Sequence, residues 1–328
     1  MAVGPFRSGR AALESARGTD LTPTRIIYFE EATETQEVST IRPFEHRNSY
    51  APVYSATAGM ERNALNFKGR LTYTDAIWWG NLFFKALASG TGGGADKTWT
   101  FLPTLTSDDH KTATIQLGYA DTIGTAAGWK YNGCFGQTLN LHFEKTEDAA
   151  VTFDGTLLVQ KPASSLTAFT GSLSDRATVA ISNSNVQAYI DATTIGTTAD
   201  PKVLSVDWTL NIDPVRLETL DGTTAAQAVL RPNFVTWTAT IRRQYDAITE
   251  RSAYVAKTIR KVRVKATGPA LGGSNYGLTL DLYGAYTGRT TSELDGIAIE
   301  ELTLENVYDT GSTSDHSLVV VNADGTIT

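Results

Sequence analysis

The chain has 328 residues, of which 41% are hydrophobic and 19% charged, and its formal net charge is −7. This length suffices for roughly two domains, each with its own core, and the composition excludes wholesale disorder. The acidic balance argues against tight binding to phosphate backbones, which needs clustered Lys and Arg.

Met1–Arg17 carries Arg7, Arg10 and Glu14 without an apolar centre, so it does not read as a secretory signal. Apolar stretches such as Ala76–Phe84 are too short to span a bilayer, and no membrane insertion is expected. The single cysteine, Cys134, excludes an intramolecular disulfide framework and a multi-cysteine metal site, and it suits synthesis in a reducing cytosol.

Period-2 alternation, the mark of a half-buried strand, dominates the chain. Leu65–Tyr73 turns Phe67 and Leu71 inward and Asn66, Lys68 and Arg70 outward. A helix follows over Asp75–Ala88, apolar on most sides and therefore expected to be buried, with Thr74 as its cap and Gly90 as its stop. Thr138–Glu144 sets Leu139, Leu141 and Phe143 against Thr138, Asn140, His142 and Glu144. Val151–Val159 sets Val151, Phe153, Leu157 and Val159 against Thr152, Asp154 and Thr156. Leu204–Ile212 is the clearest case, with Leu204, Val206, Trp208, Leu210 and Ile212 opposite Ser205, Asp207, Thr209 and Asn211. Phe234–Tyr245 alternates in the same way, and Ile248–Lys257 reads as a second, more polar helix. In Arg260–Lys265 the alternation puts Lys261, Arg263 and Lys265 on one face, which suits a charged outer face or a subunit contact better than a nucleic-acid site. Leu278, Leu280 and Leu282 oppose Thr279, Asp281 and Tyr283.

Catalytic motifs are missing. Gly90–Thr98 (GTGGGADKT) fails as a phosphate loop because Asp96 precedes the lysine, and as a dinucleotide loop because Ala95 replaces the third glycine. No H-E-x-x-H or G-x-S-x-G occurs. The pairs Asp108-Asp109, Glu147-Asp148 and Glu300-Glu301 read as solvated loops or strand edges, since neighbouring carboxylates on a strand point to opposite faces. His142 reads as a surface histidine and Cys134 as a small packed residue. No enzyme activity, catalytic residue, cofactor or metal is expected.

The pattern also repeats. Tyr28–Thr33 matches Tyr189–Thr193, and Asn66–Ile77 matches Thr236–Ile248. Ala113–Tyr119 matches Leu278–Gly284, Leu139–Leu141 matches Leu302–Leu304, and Thr156–Lys161 matches Ser317–Asn322. The order is preserved at a nearly constant offset, which indicates a tandem duplication. The expected division is an arm over 1–20, one module over 21–163, and a second over 164–328 that ends in a C-terminal arm. The linker is the Ser/Thr/Pro/Gly-containing stretch Pro162–Ser174.

These residues resemble the tail tube proteins of long-tailed, siphovirus-like bacteriophages. The resemblance lies in Gly9–Thr19, with its Glu14 and Gly18-Thr19, and in Tyr131-Asn132-Gly133-Cys134 followed by the strands Thr138–Glu144 and Val151–Gln160. The strand-then-helix unit ending Asp75-Ala76-Ile77-Trp78-Trp79 adds to it. The resemblance implies a mainly β fold: two tandem β-sandwich- or barrel-like modules, each with one packed helix, joining a ring-wide β-barrel. It implies a structural virion protein of the phage tail, made in the host bacterial cytoplasm. Three copies would form a pseudo-hexameric ring, and rings would stack into a hollow tube for genome delivery.

The implied partners are other copies of the chain, a tape-measure protein, and tail terminator and tip proteins, with double-stranded DNA passing without specific binding. A lumen for DNA should be polar without Lys or Arg clusters. The candidate lining is Thr138, Asn140, Glu144, Thr152, Asp154, Thr156, Ser205, Asp207, Thr209 and Asn211. The long segment Ile41–Ala64 is the candidate ring-to-ring contact, through Arg42, Phe44, Glu45, Arg47, Tyr50, Tyr54, Glu61 and Arg62. The alternatives are a capsid decoration protein and a carbohydrate- or cell-surface-binding module. Such a module would use tryptophans as stacking platforms, and only Trp99 and Trp129 lack an evident core role.

Overall fold

A computed structural model describes residues 8–42, 56–103, 110–118, 127–145, 150–161, 166–169, 173, 178–219, 226–231, 234–245 and 248–327. Of these residues, 61% are strand, and two helices form among them. The first strands are β1 (Ser8–Leu13), β2 (Arg25–Ile26), β3 (Glu31–Ile41) and β4 (Thr57–Arg70), followed by helix α1 (Ala76–Phe83). Then come β5 (Lys97–Phe101), β6 (Ala113–Gly118), β7 (Ala127–Glu144), β8 (Thr152–Val159) and β9 (Leu166–Ala168). The rest of the chain begins with β10 (Val186–Asp191), β11 (Val203–Asn211), β12 (Val215–Leu217), β13 (Ala228–Leu230) and β14 (Thr236–Gln244). Helix α2 (Thr249–Ala256) precedes β15 (Arg260–Leu271), β16 (Ser274–Leu294), β17 (Ile297–Asn306) and β18 (His316–Asn322).

All the pairings are antiparallel. An eight-strand path runs β3–β4–β8–β7–β11–β14–β17–β16 and forms the central sheet. The long strands β7 and β16 each leave it at one end to enter a smaller sheet. There the start of β7 lies between β6 and β9, with β1 and β2 beyond β6. The start of β16 lies between β15 and β18, with β10 beyond β15 and β5 beyond β18. The departures occur at glycines. Gly133 holds a positive φ of 65°, and at Gly284 a Cβ would sit 2.3 Å from the Glu305 carbonyl oxygen.

The pairing scheme of the first half recurs in the second. β3, β4, β8 and β7 are wired as β11, β14, β17 and β16 are, and β1, β6, β7 and β9 as β10, β15, β16 and β18 are. A helix follows β4 and another follows β14. The sequence match of Asn66–Ile77 with Thr236–Ile248 agrees with this wiring. The other matches are displaced: Tyr28–Thr33 reaches β3, whose counterpart is β11 and not β10, and in the later ones β6 corresponds to β15, β7 to β16 and β8 to β17. Alternating Leu, Val and Thr look alike in every such strand, so sequence similarity slipped where no helix anchored it.

The sandwich- or barrel-like fold and the ring-wide barrel expected from the resemblance are corrected. Among the described residues, no sheet is closed into a barrel or strongly curled. Alternation reports that one face of a sheet is buried; closure also requires the first strand to pair with the last at a fixed stagger. Here β3 and β16 lie at opposite ends of the central path, and no strand among the described residues pairs with the outer side of β3.

One apolar core spans both halves. Phe67, Leu141, Phe153, Trp208, Trp237, Ile241 and Leu304 line one face of the central sheet and are buried. Every residue of α1 is buried. Its cap differs from expectation: the Asp75 amide and carboxylate both bond the Thr72 hydroxyl, so Thr72, and not Thr74, organises the first turn. The polar α2 buries only Glu250 and Ala253. Phe84, just past α1, stacks on Trp208 of β11 with ring centroids 6.2 Å apart, which fastens the halves together. Leu204 was expected inward but is exposed, because a bulge between Val203 and Ser205 breaks the alternation there.

Candidate functional site

The face of the central sheet opposite the core is built of polar residues. Residues directly opposite on antiparallel strands share a face, so the register defines rows across the sheet. One row runs Glu31, Lys68, Asp154, Asn140, Thr209, Thr238 and Glu305, one residue per strand. The next runs Arg70, Thr152, His142, Asp207, Thr240 and Thr303. A third runs Glu144, Ser205, Arg242, Glu301 and Thr290. On the other side Thr33, Asn66, Thr156, Thr138, Asn211 and Thr236 continue the pattern. The register thus brings the ten residues named as a candidate lining onto one face. Ser205 is the most enclosed of them, being buried.

Charges on this face are mutually engaged. Protonated His142 on β7 donates from Nδ1 to Asp207 Oδ1 on β11 and from Nε2 to Asp154 Oδ1 on β8, each at 2.8 Å. The bond to Asp207 is the main cause that raises the histidine pKa to about 9; partial burial opposes it, and the bond to Asp154 adds to it. Asn140 Nδ2 donates to the other Asp154 oxygen. Asn66 accepts from the Thr156 hydroxyl and donates to that of Thr35. Across the rows, the acids Glu31, Glu144, Asp154, Asp207, Glu301 and Glu305 outnumber the positive groups Lys68, Arg70, Arg242 and protonated His142. A polyanion meets no concentrated positive charge here.

The ring-contact candidates are only partly placed. Phe44, Glu45, Arg47, Tyr50 and Tyr54 lie outside the described residues. Arg42 is exposed just beyond β3. On β4, Glu61 accepts from the Gln36 amide at 2.7 Å, and Arg62 pairs with Glu218, Nε to Oε1 at 3.2 Å.

The two stretches that carried the resemblance meet in space. The buried Glu14 carboxylate accepts from the amides of Gly18 (2.7 Å) and Gly133 (2.8 Å), and from the hydroxyls of Thr112 and Thr114. Cys134 beside it is wholly buried, and desolvation, with Glu14 nearby, holds its thiol well above the usual range. No protein-family model matches the chain, and no curated protein matches it.

Of the tryptophans, Trp99 is buried and its indole N–H donates to the Asp324 carbonyl at 2.9 Å, while Trp129 packs partly buried against the core. Neither lies open as a stacking platform. The basic run on β15 is largely neutralised: Arg263 is held by both oxygens of Asp281, and Lys261 by Asp309. Glu300 was expected at a solvated edge but is fully buried, with Arg289 Nε 3.0 Å away. Arg243, 3.6 Å from Glu300, links it to Asp200 and to Glu250, which takes both Arg260 and the Tyr286 hydroxyl. The sequence carried no sign of this cluster or of the His142 clamp, because partners 10 to 65 residues apart meet only through register. Among the described residues, no group of His, Cys, Asp or Glu could hold a metal ion, and no helix is long and apolar enough to cross a membrane.

Proposed function

We propose that this chain is a structural subunit of a phage tail tube. In this reading, copies associate head to tail into rings and the rings stack into a hollow conduit for genome delivery. The observation that carries it is the joint between the halves. β7 closes the first half's share of the central sheet and pairs with β11, which opens the second half's share. The corresponding outer edges, β16 and β3, lie at the two ends of the sheet. An edge strand offers unpaired N–H and C=O groups, so a second copy can associate there. Unlike edges on opposite sides make a heterologous contact, which closes into a ring where the rotation permits.

Three copies supply six halves, so the ring is trimeric and pseudo-hexameric. The repeated wiring supports reading the chain as two modules. The polar face, with its acid excess, lines the conduit, and double-stranded DNA passes it without lasting contact. A tape-measure protein and terminator and tip proteins are the partners such a tube requires, and the virion tail is its location.

Electron microscopy of the purified protein, with its mass in solution, tests this. Rings of three chains or hollow filaments are expected. Rings of six chains would keep the tube and remove the two-module arithmetic. A compact monomer at high concentration, even with tail tips as seeds, would overturn the reading in favour of a decoration or surface-binding protein.

A further inference from the structure

A cavity of about 320 Å³ opens where the end of β7, the start of β11 and the start of β10 converge, with Val264 of β15 in its wall. Its apolar lining includes Phe143, Val206 and Val264, all buried, and Val186 and Val203, which pack partly buried against the core. The bulge between Val203 and Ser205 interrupts the ladder there, and a bulge re-aims the side chains around it. The volume falls at the small end of the range for small-molecule sites.

Two buried polar side chains also line the cavity. Asn183, in the single turn Asn183–Asn185 ahead of β10, is 6% exposed, and Ser205 on β11 is 4% exposed. Asn183 Oδ1 and Ser205 Oγ have no hydrogen-bond partner among the described residues. Buried polar atoms are rarely left so, because an unmade hydrogen bond forfeits their lost hydration. The charged groups around the cavity are engaged or wet. One Asp200 oxygen pairs with Arg243 and the other accepts from the Lys202 amide, while Glu144 and Lys145 are exposed.

We infer that this cavity binds a small neutral molecule with an apolar body and one hydroxyl group. Asn183 Oδ1 can only accept a hydrogen bond, whereas the Ser205 hydroxyl can donate one. A ligand hydroxyl answers both: its proton goes to Asn183 Oδ1, and its oxygen accepts from Ser205. A carboxylate would bring Asn183 Oδ1 only another acceptor, and a cation would lose its hydration against the valine walls. The ligand would touch Phe143 of the first half and β10, β11 and β15 of the second, so its binding would stabilise the β7–β11 seam. The site lies within one chain and does not depend on the tube reading.

p-Cresol tests the inference, with toluene as the same body lacking the hydroxyl. Added to the purified chain at millimolar concentration, p-cresol should shift the amide NMR signals of Asn183, Val186, Ser205 and Val206 together and raise the melting temperature. Toluene should bind about tenfold more weakly, since it leaves both polar atoms unpaired. Asn183→Leu and Ser205→Ala should each weaken p-cresol several-fold and leave toluene unchanged, a selectivity that a general loss of structure would not give. Equal affinity for the two probes, or p-cresol binding unmoved by either variant, would reveal an apolar cleft without a hydroxyl site and overturn the inference. Absence of shifts at these residues would leave the cavity to water only and overturn it as well. None of these outcomes bears on ring formation, which electron microscopy decides separately.

Discussion

His142 and Asp207 join the two halves of the molecule across the β7–β11 seam, Nδ1 to Oδ1 at 2.8 Å. They stand opposite each other in the ladder, and Asp154 holds the other ring nitrogen from β8. The seam therefore carries a charged clamp on its wet face and Trp208 on its dry one.

The clamp gives a pH dependence with a definite sign. The folded-state pKa of His142 is raised to about 9 from 6.5. A raised histidine pKa means that the folded state binds the proton more tightly, so its contribution is complete below about pH 6.5 and fades as pH rises through 9. Solvent reaches the ring, so the effect on melting is modest. NMR titration of the imidazole should place its midpoint near 9, and His142→Gln should flatten melting temperature against pH across this window. A midpoint near 6.5 would show that the clamp does not form.

Arg260→Met should destabilise strongly. It leaves the buried Glu250 carboxylate with the Tyr286 hydroxyl and, 3.9 Å away, the Arg243 guanidinium. Breaking one side of a buried pair costs about 3–5 kcal/mol. Removing both charges with Glu250→Leu and Arg260→Met should recover much of that loss in urea unfolding.

Gly133→Ala should cost about 1–2 kcal/mol, because the residue holds a φ of 65°. Its Cβ would also meet the Gln160 side chain at 2.5 Å. Gly155→Ala is the control: its nearest contact would be 3.6 Å away, and its φ is not in the left-handed range. Chemical denaturation of both variants should show the first shifted well beyond the second.

The halves should not unfold separately. One core spans them, and Phe84 of the first stacks on Trp208 of the second. Calorimetry should give a single transition with equal calorimetric and van't Hoff enthalpies. Trp208→Ala should lower stability by about 3–5 kcal/mol. Two resolved transitions would show that the seam is weaker than its contacts imply.

The strands, both helices and the buried or wet side of most residues were legible from the sequence, because each depends on local periodicity. Thr138, Asn140, Thr152 and Asp207 could be assigned to a wet face from their own neighbours alone. The helix at Asp75–Ala88 declared its burial by being apolar all round. What only the tertiary structure decided is which wet faces are the same face. Strand order and register place Asp154, His142 and Asp207 in contact, bury Glu300 among arginines, and leave the central sheet open. Those outcomes depend on pairing between distant segments, and period-2 patterns are identical for every partner and every curvature. Glu14 shows the same division: its sequence neighbours mark a turn, while the amide of Gly133 arrives from another sheet strand.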